Sequence, residues 1–343
     1  MTKKKGIAGL CLLACLLISF AIQFFSAPLY PEGIAKIDQI EIKDQKQSIQ
    51  ATKMNGKKKG EQFQLTAKYR TNELDATTLQ KGNQIFYHNN EVGEKKRDGF
   101  IFFMLSFLFV TLIFIGGKTG MTTFISVILN SGALFLLISF YRRHTNISLL
   151  IFTGIYTLFA IAITLFLIDS FKKNSLQKFF ATVLTVAVSF FICFGMMTLV
   201  SDKGLRFEDM GVLTRPYRPI FLAGLMIGAV GASLDTVVTV ISTLEEIEAK
   251  NPDISLGRLI KAGRQVGKDI STTMMNVLVC SYFSSAIPMI LIYLHNGWTF
   301  NQTINMQLSL EIVRILCGGF GILLSIPFAL LCFQFSRKKE GSK

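Results

Sequence analysis

Long, nearly uncharged apolar stretches recur along this 343-residue sequence and constrain its fold more than any other feature. A helix needs about 20 mostly apolar residues to cross the roughly 30 Å hydrocarbon core of a bilayer. The stretches that meet or approach this length are 6–25, 100–115, 121–140, 147–168, 179–200, 219–244, 270–294 and 308–335. The sequence therefore predicts an α-helical polytopic membrane protein with about eight transmembrane helices, whose first partner is the lipid bilayer.

The first apolar stretch is open to two interpretations. Lys3 to Lys5 precede it, as in the basic region of a signal peptide. Its apolar run is long for a cleavable signal, however, and Pro28 follows the only small-residue site. We predict that residues 1–26 form a retained transmembrane anchor, with a cleaved signal peptide as the alternative.

Basic residues are distributed unevenly between the predicted loops. If the N-terminus is cytoplasmic, the segments that hold most of the lysines and arginines, such as 258–268 and 337–343, are cytoplasmic too, as the positive-inside rule requires. An even number of spans then places both termini in the cytoplasm and the long segment 27–98 outside. This topology accounts for much of the net charge of +14, so the charge does not indicate a nucleic-acid partner.

Motifs typical of catalytic, nucleotide or metal sites are absent from the sequence. It contains no HExxH, CxxC, P-loop or GxSxG motif. The six cysteines all lie in apolar stretches, and the three histidines are scattered in predicted loops. We therefore predict no metal, no cofactor, no disulfide framework and no enzymatic activity.

The segment 27–98 differs in character from the rest of the chain. Apolar and polar residues alternate at 34–42 and 61–69, as in half-buried strands, and 84–88 is also strand-like. Asn55-Gly56 is a hairpin dipeptide. We predict a small extracytoplasmic β-rich domain of the OB type with about four strands. It either presents a surface to a substrate or partner or serves only as a solvated cap.

Asp235 is the only charged residue in the middle of a predicted span. A carboxylate at the bilayer centre costs about 2.5 to 3.5 kcal/mol on insertion scales, so such residues face the bundle interior or water and often carry protons or ions. Helical spacing places Thr239, Ser242 and Glu246 on the same face. Asn276 of the next span is predicted to add hydrogen-bond donors. We predict a proton or ion relay, with a neutral Asp235 that only bonds a neighbouring helix as the alternative.

Two faces of small residues predict close helix packing, one within the chain and one against a second subunit. They are formed by Gly224, Gly228 and Gly231 on the sixth predicted span and by Gly318 and Gly321 on the eighth. Glu311 and Arg314, three positions apart, predict a structural ion pair. The segment 247–269 alternates apolar and basic residues, which predicts an amphipathic cytoplasmic linker on an anionic membrane surface. With this linker, residues 99–343 form a predicted seven-helix membrane domain.

Several short motifs follow one another between residues 224 and 331. They are Gly228-Ala-Val-Gly-Ala-Ser-Leu-Asp235, Leu244-Glu-Glu-Ile247, Asn251-Pro252, Gly267-Lys-Asp269, Thr272-Thr-Met-Met-Asn276, Ser284-Ser-Ala-Ile-Pro288 and Glu311-Ile-Val-Arg314. In order and spacing they resemble the YibE/F-like family of bacterial multi-pass membrane proteins, and the external β-rich segment is similar to that family's. The resemblance implies a bacterial plasma-membrane location and a paralogous sister subunit or a homo-oligomer, without implying a particular chemistry.

A second similarity concerns the order of these elements. An Asp-bearing span, acidic residues, a linker, a Thr/Asn-rich span and a Gly-rich span are similar to one half of a SecD/SecF or RND-type membrane domain, apart from two additional spans before the Asp-bearing one. This similarity implies a transporter or export subunit driven by a proton gradient. A membrane scaffold that presents the β domain is the alternative. An intramembrane protease is the weakest candidate because Asp169 and Asp269 both lie near the predicted inner face.

Overall fold

The computed structural model describes residues 2–43, 46–56, 58–68, 79–88, 91–144, 147–169, 175–210 and 217–340. The chain forms two compact units, Met1–Phe124 and Ile125–Lys343. The first unit contains a β-barrel and two helical segments. The second is a bundle of long apolar helices.

The barrel of the first unit is closed and has five strands: β1 (Gly33–Lys43), β2 (Lys46–Lys53), β3 (Gln62–Lys68), β4 (Gln84–His88) and β5 (Glu91–Lys95). Their order around the barrel is β1-β2-β3-β5-β4, and only β3 and β5 pair in parallel. Ile37, Ile49, Leu65 and Ile85 fill the interior and are almost fully buried. The prediction of a small β-rich unit is confirmed, whereas its assignment to the OB type stays a prediction.

The predicted strands 34–42, 61–69 and 84–88 coincide with β1, β3 and β4, except that Tyr69 lies outside the described residues. Strands β2 and β5 were not predicted, because polar residues dominate both segments. Asn55 is more than a turn residue. Its side chain accepts a hydrogen bond from Ile34 N at 2.8 Å and donates to Glu32 O at 2.6 Å, so it holds the start of β1.

Helix α1 (Thr2–Phe25) precedes the barrel and helix α2 (Asp98–Arg143) follows it. Helix α2 is broken at Gly117, where φ is 56° and ψ is −127°. The predicted spans 100–115 and 121–140 lie on either side of this break, which explains why two apolar stretches fall within one helical element.

The second unit continues from α2 with α3 (Leu149–Asp169), α4 (Ser175–Leu199), α5 (Tyr217–Lys250), α6 (Leu256–His295) and α7 (Phe300–Glu340). Helices α5 and α7 are central, since α7 packs on α4, α5 and α6, and α5 also packs on α3. Among the described residues, six helices, α2 to α7, are long and apolar enough to cross a membrane, and α1 contains a shorter apolar stretch, Cys11–Phe25. The chain is thus a membrane protein by the length and composition of its helices, and the count of eight spans is not confirmed.

The predicted linker 247–269 is divided between two helices. Helix α5 continues to Lys250, and α6 runs without interruption from Leu256 into the predicted seventh span. The first turns of α6 pack within the bundle because a Cβ on Gly263 would lie only 2.7 Å from Leu330 Cδ2, and one on Gly267 only 2.9 Å from Ile326. A separate surface helix is therefore not the observed arrangement.

Candidate functional site

Asp235 lines a groove of about 230 Å³ within the second unit. Its lining residues come from three helices: Asn130 on α2; Tyr156, Thr157, Ala160 and Thr164 on α3; and Ile227, Val230, Gly231, Leu234 and Asp235 on α5. The polar neighbours of Asp235 therefore come from α2 and α3, where the sequence analysis had assigned no functional residue.

Helical periodicity explains why these residues share one groove. On α3, Ala160 and Thr164 follow Tyr156 at intervals of four residues, which places them on one face. On α5, Gly231 lies one turn before Asp235 on the face that lines the groove. No heavy atom lies within 4 Å of the position that a Cβ on Gly231 would occupy, so this glycine leaves open space beside the carboxyl group.

Asn130 is the centre of a polar cluster on the wall formed by α2 and α3. Its Nδ2 donates to Thr164 Oγ1 at 2.8 Å and to Ser126 Oγ at 3.4 Å, and Tyr156 OH donates to the backbone oxygen of Asn130 at 3.2 Å. The Oδ1 atom of Asn130 is buried and has no hydrogen-bond partner among the described residues.

A buried polar atom without a partner costs about 1 to 3 kcal/mol, so it marks a place where water, a proton donor or a cation would bind favourably. Reversing the Asn130 amide does not remove this cost. The hydroxyls of Thr164 and Ser126 can donate or accept, and reversal only exchanges which amide atom lacks a partner.

The Asp235 carboxylate forms no hydrogen bond or ion pair with any residue that the structure describes. Its side chain is exposed in the isolated chain, although Leu234 and Thr236 beside it are buried. The carboxyl group therefore faces the groove and its opening. In a bilayer this opening is bounded by lipid, water or another protein, and an unpaired carboxylate favours the last two.

Three further predicted relay residues follow Asp235 down α5. The Thr239 hydroxyl donates to the backbone oxygen of Asp235 at 2.7 Å, which leaves the carboxylate unbound. Ser242 is half-buried, and Glu246 is exposed with Lys250 Nζ 2.7 Å from its Oε1. Asn276 is exposed on α6 and does not line the groove.

The glycines of α7 pack within the chain. A Cβ on Gly321 would lie 2.7 Å from Ser233 Oγ on α5, and one on Gly318 would lie 2.5 Å from Leu278 Cδ1 on α6. A side chain at either glycine would force the Ser233 or Leu278 side chain to shift, so the small residues let the helices approach closely.

The glycines of α5 have more space. Gly224 and Gly231 have no heavy atom within 4 Å of a built Cβ, whereas a Cβ on Gly228 would lie 3.1 Å from the Tyr282 hydroxyl. Part of the small-residue face of α5 is thus uncovered within this chain.

Ion pairs outside the groove include the predicted pair within α7 and a pair between α4 and α5. Arg314 contacts Glu311, and its guanidinium lies 5.2 Å from the ring centre of Phe221. Sequence reasoning missed the second pair, in which buried Lys178 on α4 places Nζ 3.5 Å from Glu245 Oε2 on α5. Nothing in the sequence indicated that these two helices are neighbours.

Sequence signals for the groove residues did exist. Asn130 interrupts the apolar stretch 121–140, as Tyr156 and Thr164 interrupt 147–168. Uncharged polar residues are common in membrane helices, where they often bond to backbone carbonyls of their own helix. Asn130, Tyr156 and Thr164 could therefore not be recognised as site residues from the sequence; what distinguishes them is that the fold places them in one groove with Asp235.

A family model described as YibE/F-like protein matches residues 104–339, which include every residue that lines the groove. A model described as the YibE/F family N-terminal domain matches residues 30–101, which include the barrel. No curated protein and no solved structure matches the chain.

Proposed function

The chain belongs to the YibE/F-like family, and from that premise we propose that it is a transporter or export-related subunit of the bacterial plasma membrane in which Asp235 relays protons. The observation that supports this proposal best is the groove. It is lined by a carboxyl group without a partner among the described residues and by Asn130, whose buried Oδ1 also lacks one. A purely structural carboxyl group at this depth would be paired.

The proposed topology has eight crossings, with both termini in the cytoplasm and the barrel outside. Helix α1 supplies one crossing, and the two halves of α2 supply one each. The 46 residues of α2 would extend about 69 Å as an uninterrupted helix, more than twice the thickness of the hydrocarbon core. Both halves are strongly apolar, so the break at Gly117 provides the turn between two crossings.

The relay operates by proton exchange at the Asp235 carboxyl group. A proton from water on one side of the membrane binds the carboxylate, and the neutral acid donates its hydrogen to an acceptor such as Asn130 Oδ1. Release of this proton to water on the other side restores the carboxylate, which the Thr164 hydroxyl stabilises by donating to it. Glu246, about 16 Å along α5, marks the inner end of the path.

Proton flux in proteoliposomes tests this proposal. Asp235→Asn keeps size and hydrogen bonding but cannot titrate, so it should abolish flux driven by an imposed pH gradient while leaving yield and size in detergent unchanged. Asp235→Glu should retain part of the flux. The matched control is Asp253→Asn, the same chemical change at an exposed position between α5 and α6. Full flux in Asp235→Asn would exclude the relay.

A partner subunit is the second element of the proposal. Asn276 is exposed on α6, where lipid would leave its amide without a partner, whereas the nearby Thr272 and Thr273 hydroxyls donate to Lys268 O and Asp269 O of their own helix. A second copy or a paralogous sister subunit would cover the Asn276 amide. Cysteine cross-linking at position 276 should capture such a subunit in membranes, and a monomer with no cross-linked product would contradict this arrangement.

The alternative function is a membrane scaffold that presents the barrel to a partner. The observation that favours it is the barrel's own closed core around Ile37, Ile49 and Leu65. A scaffold needs the barrel but not a titrating Asp235. Both variants are tested in a strain that lacks the native protein. If Asp235→Asn restores activity and a variant without the barrel does not, the scaffold function is supported.

A further inference from the structure

A second cavity, of about 300 Å³, lies between α4 and α7 and shares no lining residue with the Asp235 groove. Its walls are apolar and include Met196 and Met197 of α4, Val200 directly after that helix, and Val313, Leu316 and Phe320 of α7. Flexible thioether side chains and an aromatic ring suit an unbranched hydrocarbon ligand of variable shape. The volume is at the lower limit for ligand pockets, so it fits part of one chain rather than a whole amphiphile.

The opening of the cavity lies where α4 ends. Asp202 and Lys203, which follow that helix, are among the residues that line the cavity. The negative charge of Asp202 is already paired, since Arg218 Nε lies 2.9 Å from Asp202 Oδ2 and the Arg218 guanidinium also donates to Thr198 Oγ1. Lys203 is therefore the charge available to a ligand at the opening.

Arg206 adds a second exposed cation to the same loop. It directly follows Leu205, which lines the cavity, and its backbone N–H donates to Ser309 Oγ on α7 at 3.1 Å. Neither Lys203 nor Arg206 forms an ion pair within the described part of the chain. The opening thus combines an apolar cavity with two cations on one short segment.

The backbone at the opening is held in a defined conformation. Ser201 and Asp202 have φ values of 52° and 57°, a region that side-chain-bearing residues seldom adopt. The Asp202 N–H donates to Met197 O at 3.0 Å, which ends α4 and fixes this turn. The position of Lys203 beside the cavity is therefore built into the fold.

We propose that this cavity holds one acyl chain of an anionic phospholipid from the leaflet at the carboxyl end of α4, with Lys203 and Arg206 binding the headgroup phosphate. Both walls are membrane-spanning helices, so the ligand with access to the cavity is a bilayer lipid. The two cations select an anionic headgroup, because lysine and arginine near a membrane surface attract negative charge. This lipid site is independent of the proton relay.

Tryptophan quenching by brominated lipids tests the site. The chain has one tryptophan, so Trp298→Phe gives a silent background. In this background Phe320→Trp places a reporter in the cavity wall. The control reporter is Leu323→Trp, one turn away, where the native side chain is exposed and does not line the cavity. Each variant is reconstituted with brominated-chain phosphatidylglycerol or phosphatidylcholine at a low, equal mole fraction.

Phe320→Trp should be quenched at least several-fold more strongly by the brominated phosphatidylglycerol, whereas Leu323→Trp should respond equally to both lipids. Lys203→Gln combined with Arg206→Gln should remove the difference at Phe320→Trp. If Phe320→Trp does not reconstitute, Leu316→Trp in the same wall is the reporter. Equal quenching of the cavity reporter by both lipids, or quenching by neither, would overturn the proposal.

Discussion

Lys96 in the first unit and Asp235 in the second are both charged residues next to apolar helices, and their surroundings are opposite. Lys96 is almost fully buried, and its ammonium group is surrounded by polar partners. It donates to Gln23 O at 2.6 Å and to Gln84 Oε1 at 3.2 Å, and it lies 3.4 Å from Asp98 Oδ2. Asp235 is exposed in the isolated chain and has no partner in its groove among the described residues.

A charged residue beside an apolar helix can thus stabilise the fold, as Lys96 does, or stay available for binding, as we propose for Asp235. Gln23 lies in the last turn of α1, where carbonyl groups lack helical partners, so a buried cation there satisfies the helix end and its dipole. Asp98 is held in addition by Ser26 and Tyr30. A saturated network of this kind favours one structure. In the proposed relay, an unsaturated site such as the Asp235 groove keeps the capacity to bind and release a proton.

The largest effect on stability is expected from removing Lys96 from its hydrogen-bond network. Lys96→Met removes the side-chain donor to Gln23 O at the end of α1 and the cation beside Asp98. Removing one partner of a buried pair costs about 3 to 5 kcal/mol, so the unfolding temperature in detergent should fall sharply. Lys81→Met, at an exposed position of the same unit, is the control and should be neutral. An unchanged unfolding temperature in Lys96→Met would mean that the network does not stabilise this unit.

Substitutions at two glycines of the second unit should affect stability and proton flux differently. Gly321→Val forces atoms against Ser233 and should destabilise the bundle by about 1 to 3 kcal/mol, as overpacking does. Gly231→Ala meets open space and should leave thermal stability unchanged while lowering proton flux, because its methyl group enters the groove. Equal destabilisation by both changes would show that the space beside Gly231 is closed in the assembled protein.

Asn130 offers a test with a smaller effect on stability. Asn130→Leu removes a buried acceptor that lacks a partner but also removes the Nδ2 hydrogen bonds to Thr164 and Ser126, so these effects offset one another and the free energy of unfolding should change by no more than about 1 kcal/mol. Proton flux should fall, because the proposed acceptor for the neutral carboxyl group is lost. Thr185→Val is the control, since this buried hydroxyl bonds only to Ala181 O of its own helix, and flux should persist. Flux that survives in Asn130→Leu would remove Asn130 from the relay.

The smallest expected effect concerns Tyr30 outside the membrane helices. Its hydrogen bond to Asp98, with burial and the Asp98 charge as lesser causes, raises the pKa of the Tyr30 phenol. A raised folded-state pKa contributes stability that is present below the ordinary tyrosine pKa of about 10 and is lost as pH rises through the raised value. Tyr30→Phe should therefore flatten the alkaline decline of the unfolding temperature. A decline of unchanged steepness in Tyr30→Phe would contradict this assignment.

The sequence predicted local features better than neighbour relations. The apolar helices, three of the five strands and the face of α5 that carries Asp235 and Thr239 follow from periodicity. Strands β2 and β5 were missed because few of their residues reach the barrel core. Lys96 gave no signal, because its role depends on the end of α1 lying beside the start of α2.

The groove was only half predicted for the same reason. Order along the chain predicts Asn276 as a neighbour of Asp235, because α5 and α6 are consecutive, yet the polar residues that share its groove come from α2 and α3. Asn130 lies more than a hundred residues before Asp235, and no periodicity within one helix indicates which helices meet. Packing on α3 and α7, rather than order along the chain, decides which face of α5 lines the groove.

The central claim is that the Asp235 carboxyl group exchanges a proton with water, and infrared difference spectroscopy of the reconstituted protein tests it most directly. Spectra of the wild type and of Asp235→Asn are recorded while pH is raised from acid to alkaline values. We expect the wild type to show a protonated carboxyl band that disappears as pH rises, returns on acidification and is absent from Asp235→Asn. A carboxyl band of Asp235 that does not change across the range, or the absence of any band that the variant removes, would contradict the relay.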